Sequence, residues 1–264
     1  MTQPAARRTP GPTRSADPGF DPDRYARHLP IPGFGEEGQH RLAGASVLMV
    51  GAGGLGSPVG LYLAAVGVGK LTIVDDDRVD LTNLQRQVIH RVVDIDRPKV
   101  ESAAERMAAL NPDIEIATVD VRLTPDNVDG IIAGHDLVID GTDNFETRYL
   151  VGDACRRAGI VEVWGTIRQL GGQVSVFGLD LGGGRRVWLR DLYPEPPAPE
   201  TVLTAAQTGI LGTVPGTIGT IMATEAVKVI TGLGEPLSGR VLFYDSAAMS
   251  FREFRFAGDA GEVR

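Results

Sequence analysis

Gly51, Gly53 and Gly56 follow the apolar run Val47–Val50. Glycines at that spacing, between a strand and a helix, make the turn that brings backbone N–H groups and a helix N-terminus up to phosphate. Gly54 lies inside the same turn. Such a turn does not say which nucleotide it holds, and a turn needing glycine only for its backbone geometry is the plainer alternative. About twenty residues further on, at the tip of the second expected strand, Asp75 has the position of a carboxylate that bonds to ribose hydroxyls.

The residues after Asp75 depart from a plain dinucleotide site. Asn83, Arg86 and Gln87 stand in "DDRVDLTNLQRQ", and Lys99 stands in "DRPKVE" at the start of the next expected helix. Each cation alone is an ordinary surface residue. Delivered together to the same strand tips, they carry more charge than a dinucleotide pyrophosphate needs. They suit a triphosphate whose charge is neutralised while pyrophosphate leaves. Arginine can grip two phosphate oxygens, and lysine acts as a point charge. The fourth strand runs into "VIDGTDNFETR". Asp140 at its tip reads as structural. Asp143, beside Asn144, opens the next helix, where a carboxylate either caps the helix or holds Mg²⁺. No Ser-His-Asp or Cys-His set is present. His28 and His90 flank motif residues, while His40 and His135 are expected on the surface. Cys155, the only cysteine, falls inside a helix and reads as a small packed hydrophobe.

The elements that must position these residues follow from apolar periodicity. A short helix is expected over 36–42, a strand over 46–50, a helix from 57 to about 66 ended by Gly67 and Gly69, and a strand over 71–74. A helix runs from Pro98 to Asn111, a strand covers 114–119, and Thr124-Pro125 opens another helix. A strand at 137–140, a helix over 145–158 stopped by Gly159, and a strand at 161–164 complete the alternation. Alternation at these lengths implies an α/β fold, a Rossmann-like, doubly wound and mainly parallel sheet. The second half differs. "QVSVFGL" and "RRVWLR" alternate like hairpin strands around Gly182–Gly184, "YPEPPAPE" is a Pro-rich loop, 214–230 reads as a helix, and "RVLFYDS" with "SFREFRF" reads as a closing antiparallel pair. Residues 1–22, rich in Pro, Arg, Thr and Asp, read as a disordered tail. Residues 23–264 read as one domain, with a nucleotide-binding half at about 46–165 and a second half at about 166–256.

Composition sets outer limits. Of 264 residues, 42% are hydrophobic and 23% charged, which is ordinary for a globular protein. A net charge of −8 argues against a nucleic-acid-binding surface. One cysteine leaves no intrachain disulfide and no Cys-rich zinc site. No apolar run of about 18 residues is present, and the arginines near the N-terminus lack an apolar segment behind them, so the expected compartment is the cytoplasm.

Taken together, "RYARH", "GAGGLGSP", "DDDRVDLTNLQRQVIH", "RPKVESA", "DGTDNFETRYLV", "GQVSVF", "LYPEPP", "GILGTVPGTIGTIMATEAVK" and "LFYDS" resemble the motifs of the ThiF/MoeB/HesA adenylyltransferases, relatives of the ubiquitin-activating enzymes. The resemblance runs from about Arg24 to Phe256. It implies MgATP-dependent adenylation of the C-terminal glycine carboxylate of a ubiquitin-like sulfur carrier, with release of pyrophosphate ahead of thiocarboxylate formation. It also implies that Asp75 holds ribose, that Gly54 and neighbouring amides approach the phosphates, that Asn83, Arg86 and Lys99 contact the triphosphate, and that Asp143 holds Mg²⁺. In homodimeric members Arg27 would reach the partner's ATP. The second half would hold the carrier and thread its Gly-Gly tail towards the nucleotide.

The chain departs from that pattern in three places. Trp188 and Asp191 stand where a "CxxC" pair would supply zinc ligands, so no structural zinc is expected. Ala205 replaces the crossover-loop cysteine and Gln207 its neighbouring glutamate, which excludes thioester chemistry from that loop. The usual "R-x-E-G-Q" reads Gln169–Gln173, with Arg168 offset by one position. No sulfurtransferase domain follows the motifs, so a separate sulfur donor is expected. Two other readings stand beside adenylation of a carrier: a nucleotide-binding scaffold without turnover, and adenylation of another peptide carboxylate. A nicotinamide dehydrogenase lacks a visible acid/base set.

Overall fold

In the computed structural model, which describes residues 19–198 and 205–256, an eight-stranded sheet has the order β3-β2-β1-β4-β5-β6-β7-β8. Its first half is built from α1 (Gly35–Gly44), β1 (Ser46–Val50), α2 (Gly56–Ala65), β2 (Lys70–Val74), α3 (Lys99–Leu110), β3 (Glu115–Val119), α4 (Val128–Ile132), β4 (Leu137–Asp140), α5 (Phe145–Ala158) and β5 (Val161–Arg168). The second half adds β6 (Gly171–Phe177), α6 (Leu189–Leu192), α7 (Ala205–Thr208), α8 (Thr213–Thr231), β7 (Arg240–Asp245) and β8 (Ser250–Arg255). Strands β3-β2-β1-β4-β5 are parallel, and β5-β6-β7-β8 are antiparallel. This is the expected Rossmann-like sheet with an antiparallel continuation. The proposed disordered tail lies almost wholly outside the described residues.

The parallel part is apolar on both faces because helices cover both. Every residue of β1 is buried, as a strand covered on both sides requires. On one face Val47, Met49 and Ile73 share a core with Leu63 of α2, Met107 of α3, and Ile218 and Met222 of α8. On the other, Leu48, Val50 and Val138 pack with Val128, Ile132, Val151 and Cys155 of α4 and α5. Cys155 is fully buried, and burial pushes its thiol up. Gly159 ends α5 at φ 68°, the left-handed conformation that glycine adopts freely.

β1 lies between β2 and β4, so the chain leaves it in one direction and returns on its other side. The C-terminal ends of β1 and β4 therefore flank the crevice where doubly wound sheets bind ligands. Val50 is in register with both Val74 and Asp140, which sets Gly51, Asp75 and Gly141 side by side.

Several expectations need correction. Residues 124–127 form a turn, with Asn127 Oδ1 accepting from Thr124 N at 2.8 Å, and α4 starts only at Val128. "RRVWLR" is not a strand. Asp180 Oδ1 accepts from Gly182 N and Gly184 N, closing a tight loop, and only the single bridge Asp180–Arg186 forms. Asp191 then turns the chain into α6 by accepting from Trp188 N at 2.7 Å. The residues at the expected thiolate positions are thus a ring packed under Gly178 and a helix cap. β5 continues four residues beyond its predicted end at Trp164 because β6 pairs along it as far as Arg168.

Candidate active site

The glycine turn is built around one close approach. A β-carbon at Gly56 would lie 2.1 Å from the Gly51 carbonyl oxygen, and Gly51 itself has φ 94°. No other residue fits either position without moving the backbone. The turn leads directly into α2, whose N-terminus has no side-chain cap; Ser57 N–H already donates to the Gly53 carbonyl at 2.9 Å and Pro58 has no N–H, so the N–H groups left for a ligand are those of the turn itself. Asp75 Oδ2 accepts from Ala52 N at 2.8 Å and Oδ1 from Asp77 N at 2.9 Å. Burial pushes the Asp75 carboxyl up, opposed by the charge of Lys99.

Arg86 and Gln87 cover the turn. A β-carbon at Gly54 would sit 3.6 Å from Arg86 Cγ, and one at Gly53 would sit 3.7 Å from Gln87 Nε2. Lys99, at the first position of α3, is buried and pairs with Asp77 at 2.7 Å. Across the crevice, Asp143 is exposed beyond β4. Asn144, not Asp143, caps α5 by accepting from Thr147 N at 2.8 Å.

These residues line one cleft of about 570 Å³. Gly51, Gly53, Gly54, Asp75, Arg86, Gln87, Lys99, Asp143 and Asn144 all reach it. Gly56, Asn83 and Arg27 are not among its lining residues. Gly56 acts through the backbone of the turn. Asn83 Oδ1 faces the Asp80 N–H at 3.3 Å in a local capping box, so its side chain serves the short turn before Arg86. Arg27 is exposed on the segment preceding α1. Asp76 and Asp77 also line the cleft.

Arg148, unforeseen from sequence, is buried at the cleft's inner wall. It donates to the Thr142 carbonyl at 2.9 Å and to Thr166 Oγ1 at 3.1 Å, and lies 5.5 Å from the Trp164 ring. It faces Asp140, whose Oδ1 accepts from Thr142 N and Oγ1. Burial, with the Asp140 charge added, pushes the neighbouring Glu162 carboxyl well up. Read along the helix, Arg148 is one more polar residue of α5, and nothing in its spacing marks it.

The donor set fits a nucleotide polyphosphate with its cation. Gln87 Oε1, an acceptor, is buried without a hydrogen-bond partner among the described residues, an orphan that a ribose hydroxyl would satisfy and a phosphate oxygen would not. Arg86 and Lys99 supply positive charge on one side of the cleft. Asp143 has no hydrogen bond or ion pair among the described residues, which leaves both carboxylate oxygens to hold Mg²⁺, an ion that prefers one or two carboxylates with phosphate oxygens.

Comparison with known proteins gives the same family as the motifs. The probable adenylyltransferase/sulfurtransferase MoeZ of Mycobacterium tuberculosis is 51% identical over 236 residues, 89% of this chain. The chain spans 60% of that relative's length. The sulfur carrier protein adenylyltransferase of Thermus thermophilus is 47% identical over 232 residues, covering 88% of this chain and 86% of that protein. Among solved structures, the crystal structure of E. coli MccB with MccA-N7isoASN superposes with a TM-score of 0.79 at 18% identity, over 93% of this chain and 75% of that one. That likeness concerns the fold alone. Residues 25–262 match the ThiF family, to which this chain belongs.

Proposed function

We propose that the protein binds MgATP in this cleft and adenylates the C-terminal glycine carboxylate of a ubiquitin-like sulfur carrier. The observation that carries the reading is the convergence of the glycine turn, Asp75, Arg86, Gln87, Lys99 and Asp143 on one crevice. The names of the MoeZ and Thermus thermophilus relatives support adenylyl transfer, and the latter supports a sulfur carrier as substrate.

The chemistry needs no general base. A carboxylate is already a nucleophile. Its oxygen bonds to the α-phosphorus of ATP, the bond from that phosphorus to the bridging oxygen breaks, and pyrophosphate leaves with the electron pair. Catalysis is then positioning and charge neutralisation. Asp75 would orient the ribose, the turn amides would meet the phosphates, and Arg86 and Lys99 would stabilise the departing charge. Mg²⁺, held by Asp143, would supply further neutralisation of the phosphates. The acyl adenylate would be activated for attack by a sulfur donor. Arg27, exposed and off its own chain's cleft, suits a role at a partner's cleft in a homodimer. The expected compartment is the cytoplasm. Among the described residues no helix is long and apolar enough to cross a membrane.

The test is ATP–pyrophosphate exchange with Mg²⁺, with and without candidate carriers ending in Gly-Gly. Carrier-dependent exchange is expected, and Arg86→Ala should reduce it by about a hundredfold or more. Arg86 is only half-buried, so its thermal midpoint should move little. ATP binding without exchange for any carrier would favour the scaffold reading or another peptide carboxylate.

A further inference from the structure

His90 is buried and plays no part in the chemistry proposed above, yet its ring sits at a junction. Nε2 lies 2.9 Å from the carbonyl oxygen of Ala52, in the glycine turn. Nδ1 lies 2.8 Å from Ser102 Oγ, and Ser102 Oγ lies 3.0 Å from Asp94 Oδ2. Asp94 is held in turn by the Arg91 N–H and guanidinium and by Arg97 Nη1 at 3.1 Å.

Proton counting fixes the direction of these bonds. A carbonyl oxygen only accepts, so the hydrogen bond to Ala52 requires a proton on Nε2. In the neutral ring Nδ1 then accepts from the Ser102 hydroxyl, which gives up its bond to Asp94 Oδ2; all three contacts are hydrogen bonds at once only in the charged ring. In the charged ring Nδ1 donates to Ser102, whose proton turns to Asp94. Asp94 keeps its arginine partners in both cases. The rotating hydroxyl accommodates either state, and the bond to Ala52 survives in both. Burial holds the imidazole below its ordinary value, as does the nearby Lys99 charge, while Asp94 acts the other way.

The Ala52 backbone is therefore held on both sides: its N–H by Asp75 and its carbonyl by His90. The three segments meeting at this ring each carry groups of the proposed site. Ala52 belongs to the glycine turn. His90 ends the segment that bears Arg86 and Gln87. Ser102 lies in α3, which begins at Lys99. On the proposed nucleotide reading, on which this rests, we infer that His90 is a positioning residue. It holds the phosphate cradle, the Arg86–Gln87 segment and the Lys99 end of α3 at a fixed spacing.

The role predicts a loss concentrated on the phosphate side of the ligand. ATP and adenosine binding would be measured by calorimetry and ligand-observed NMR on the full chain, for wild type, His90→Leu, His90→Gln and Ser102→Ala. His90→Leu should weaken ATP about tenfold or more, since displacement by an ångström is costly in such sites. Adenosine should lose much less, because Asp75 keeps its bond from Asp77 N when Ala52 shifts. His90→Gln can still donate to Ala52 and should recover most of the ATP affinity. Ser102→Ala should fall between them. Selective ¹⁵N spectra should show the Nε2-protonated ring at neutral pH, a readout that holds even where a variant folds poorly. An Nδ1-protonated ring, unaltered ATP binding in His90→Leu, or equal losses for ATP and adenosine would overturn the role. A wild-type chain that binds neither ligand would instead overturn the nucleotide reading itself, and the inference with it.

Discussion

Lys99 Nζ lies 2.7 Å from Asp77 Oδ2, with the lysine side chain 6% exposed and the aspartate 68% exposed. The Lys99 backbone N–H also donates to the Asp77 carbonyl. The cation is thus parked on an acid that a phosphate must displace. Asp77→Asn should tighten ATP binding several-fold by removing that competitor. Lys99→Ala should abolish pyrophosphate exchange and, because the lysine is buried and its charge favours ionised Asp75, should also lower the thermal midpoint. Calorimetric titration of both variants checks the pair. Weaker binding in Asp77→Asn would mean that the acid presents the lysine rather than occupying it.

The division of labour between Asp143 and Asn144 gives separable outcomes. Asn144 caps α5, and Asn144→Ala should cost about 1 kcal/mol of stability in denaturant titration. Asp143→Asn should leave the fold unchanged and raise the Mg²⁺ concentration for half-maximal exchange about tenfold or more. ATP binding measured without Mg²⁺ should not change. A Mg²⁺ dependence unaltered by Asp143→Asn would remove this residue from the metal's ligands.

Glu162 is fully buried, and neither of its oxygens has a hydrogen-bond partner among the described residues. Burial first, then the Asp140 charge, pushes its carboxyl well up. Its folded value lies above its unfolded one, so the folded chain binds the extra proton. This contribution is fully present below the unfolded value of about 4.5 and is lost as pH rises towards the folded value. For one proton the slope is at most about 1.4 kcal/mol per pH unit. Glu162→Gln should flatten that decline, so its advantage in thermal midpoint over wild type should grow from pH 5 to pH 8. An advantage independent of pH, in differential scanning calorimetry, would show that Glu162 is not the group responsible.

Much of the scaffold was legible because its signals are local. Ser46–Val50, Leu137–Asp140 and Phe145–Ala158 match the expected bounds, each fixed by an apolar run or by a stop such as Gly159. The cleft residues could be grouped because a doubly wound sheet puts every parallel strand's C-terminal end on one edge. What sequence did not reveal depends on competition or on depth. Asn83 and Asn144 each commit the side-chain oxygen to a nearby backbone N–H, a local role their spacing does not show, which leaves the amide nitrogen of each for a ligand. Arg148 becomes distinctive only when the sheet places Asp140, Glu162 and Trp164 around it. The alternation in "RRVWLR" loses to the Asp180 and Asp191 turns.

α8 also bears on the order in which the chain is made. It packs along α2, and a β-carbon at Gly54 would meet Pro215 at 3.2 Å, so the back wall of the glycine turn comes from near the other end of the sequence. During synthesis the turn leaves the ribosome early and its wall leaves late. Until then Val59 and Leu63 lack their partners Ile218 and Met222. Such distant pairings slow folding and leave apolar surface uncovered in the meantime. A growing chain therefore has no finished nucleotide cleft until α8 has been translated.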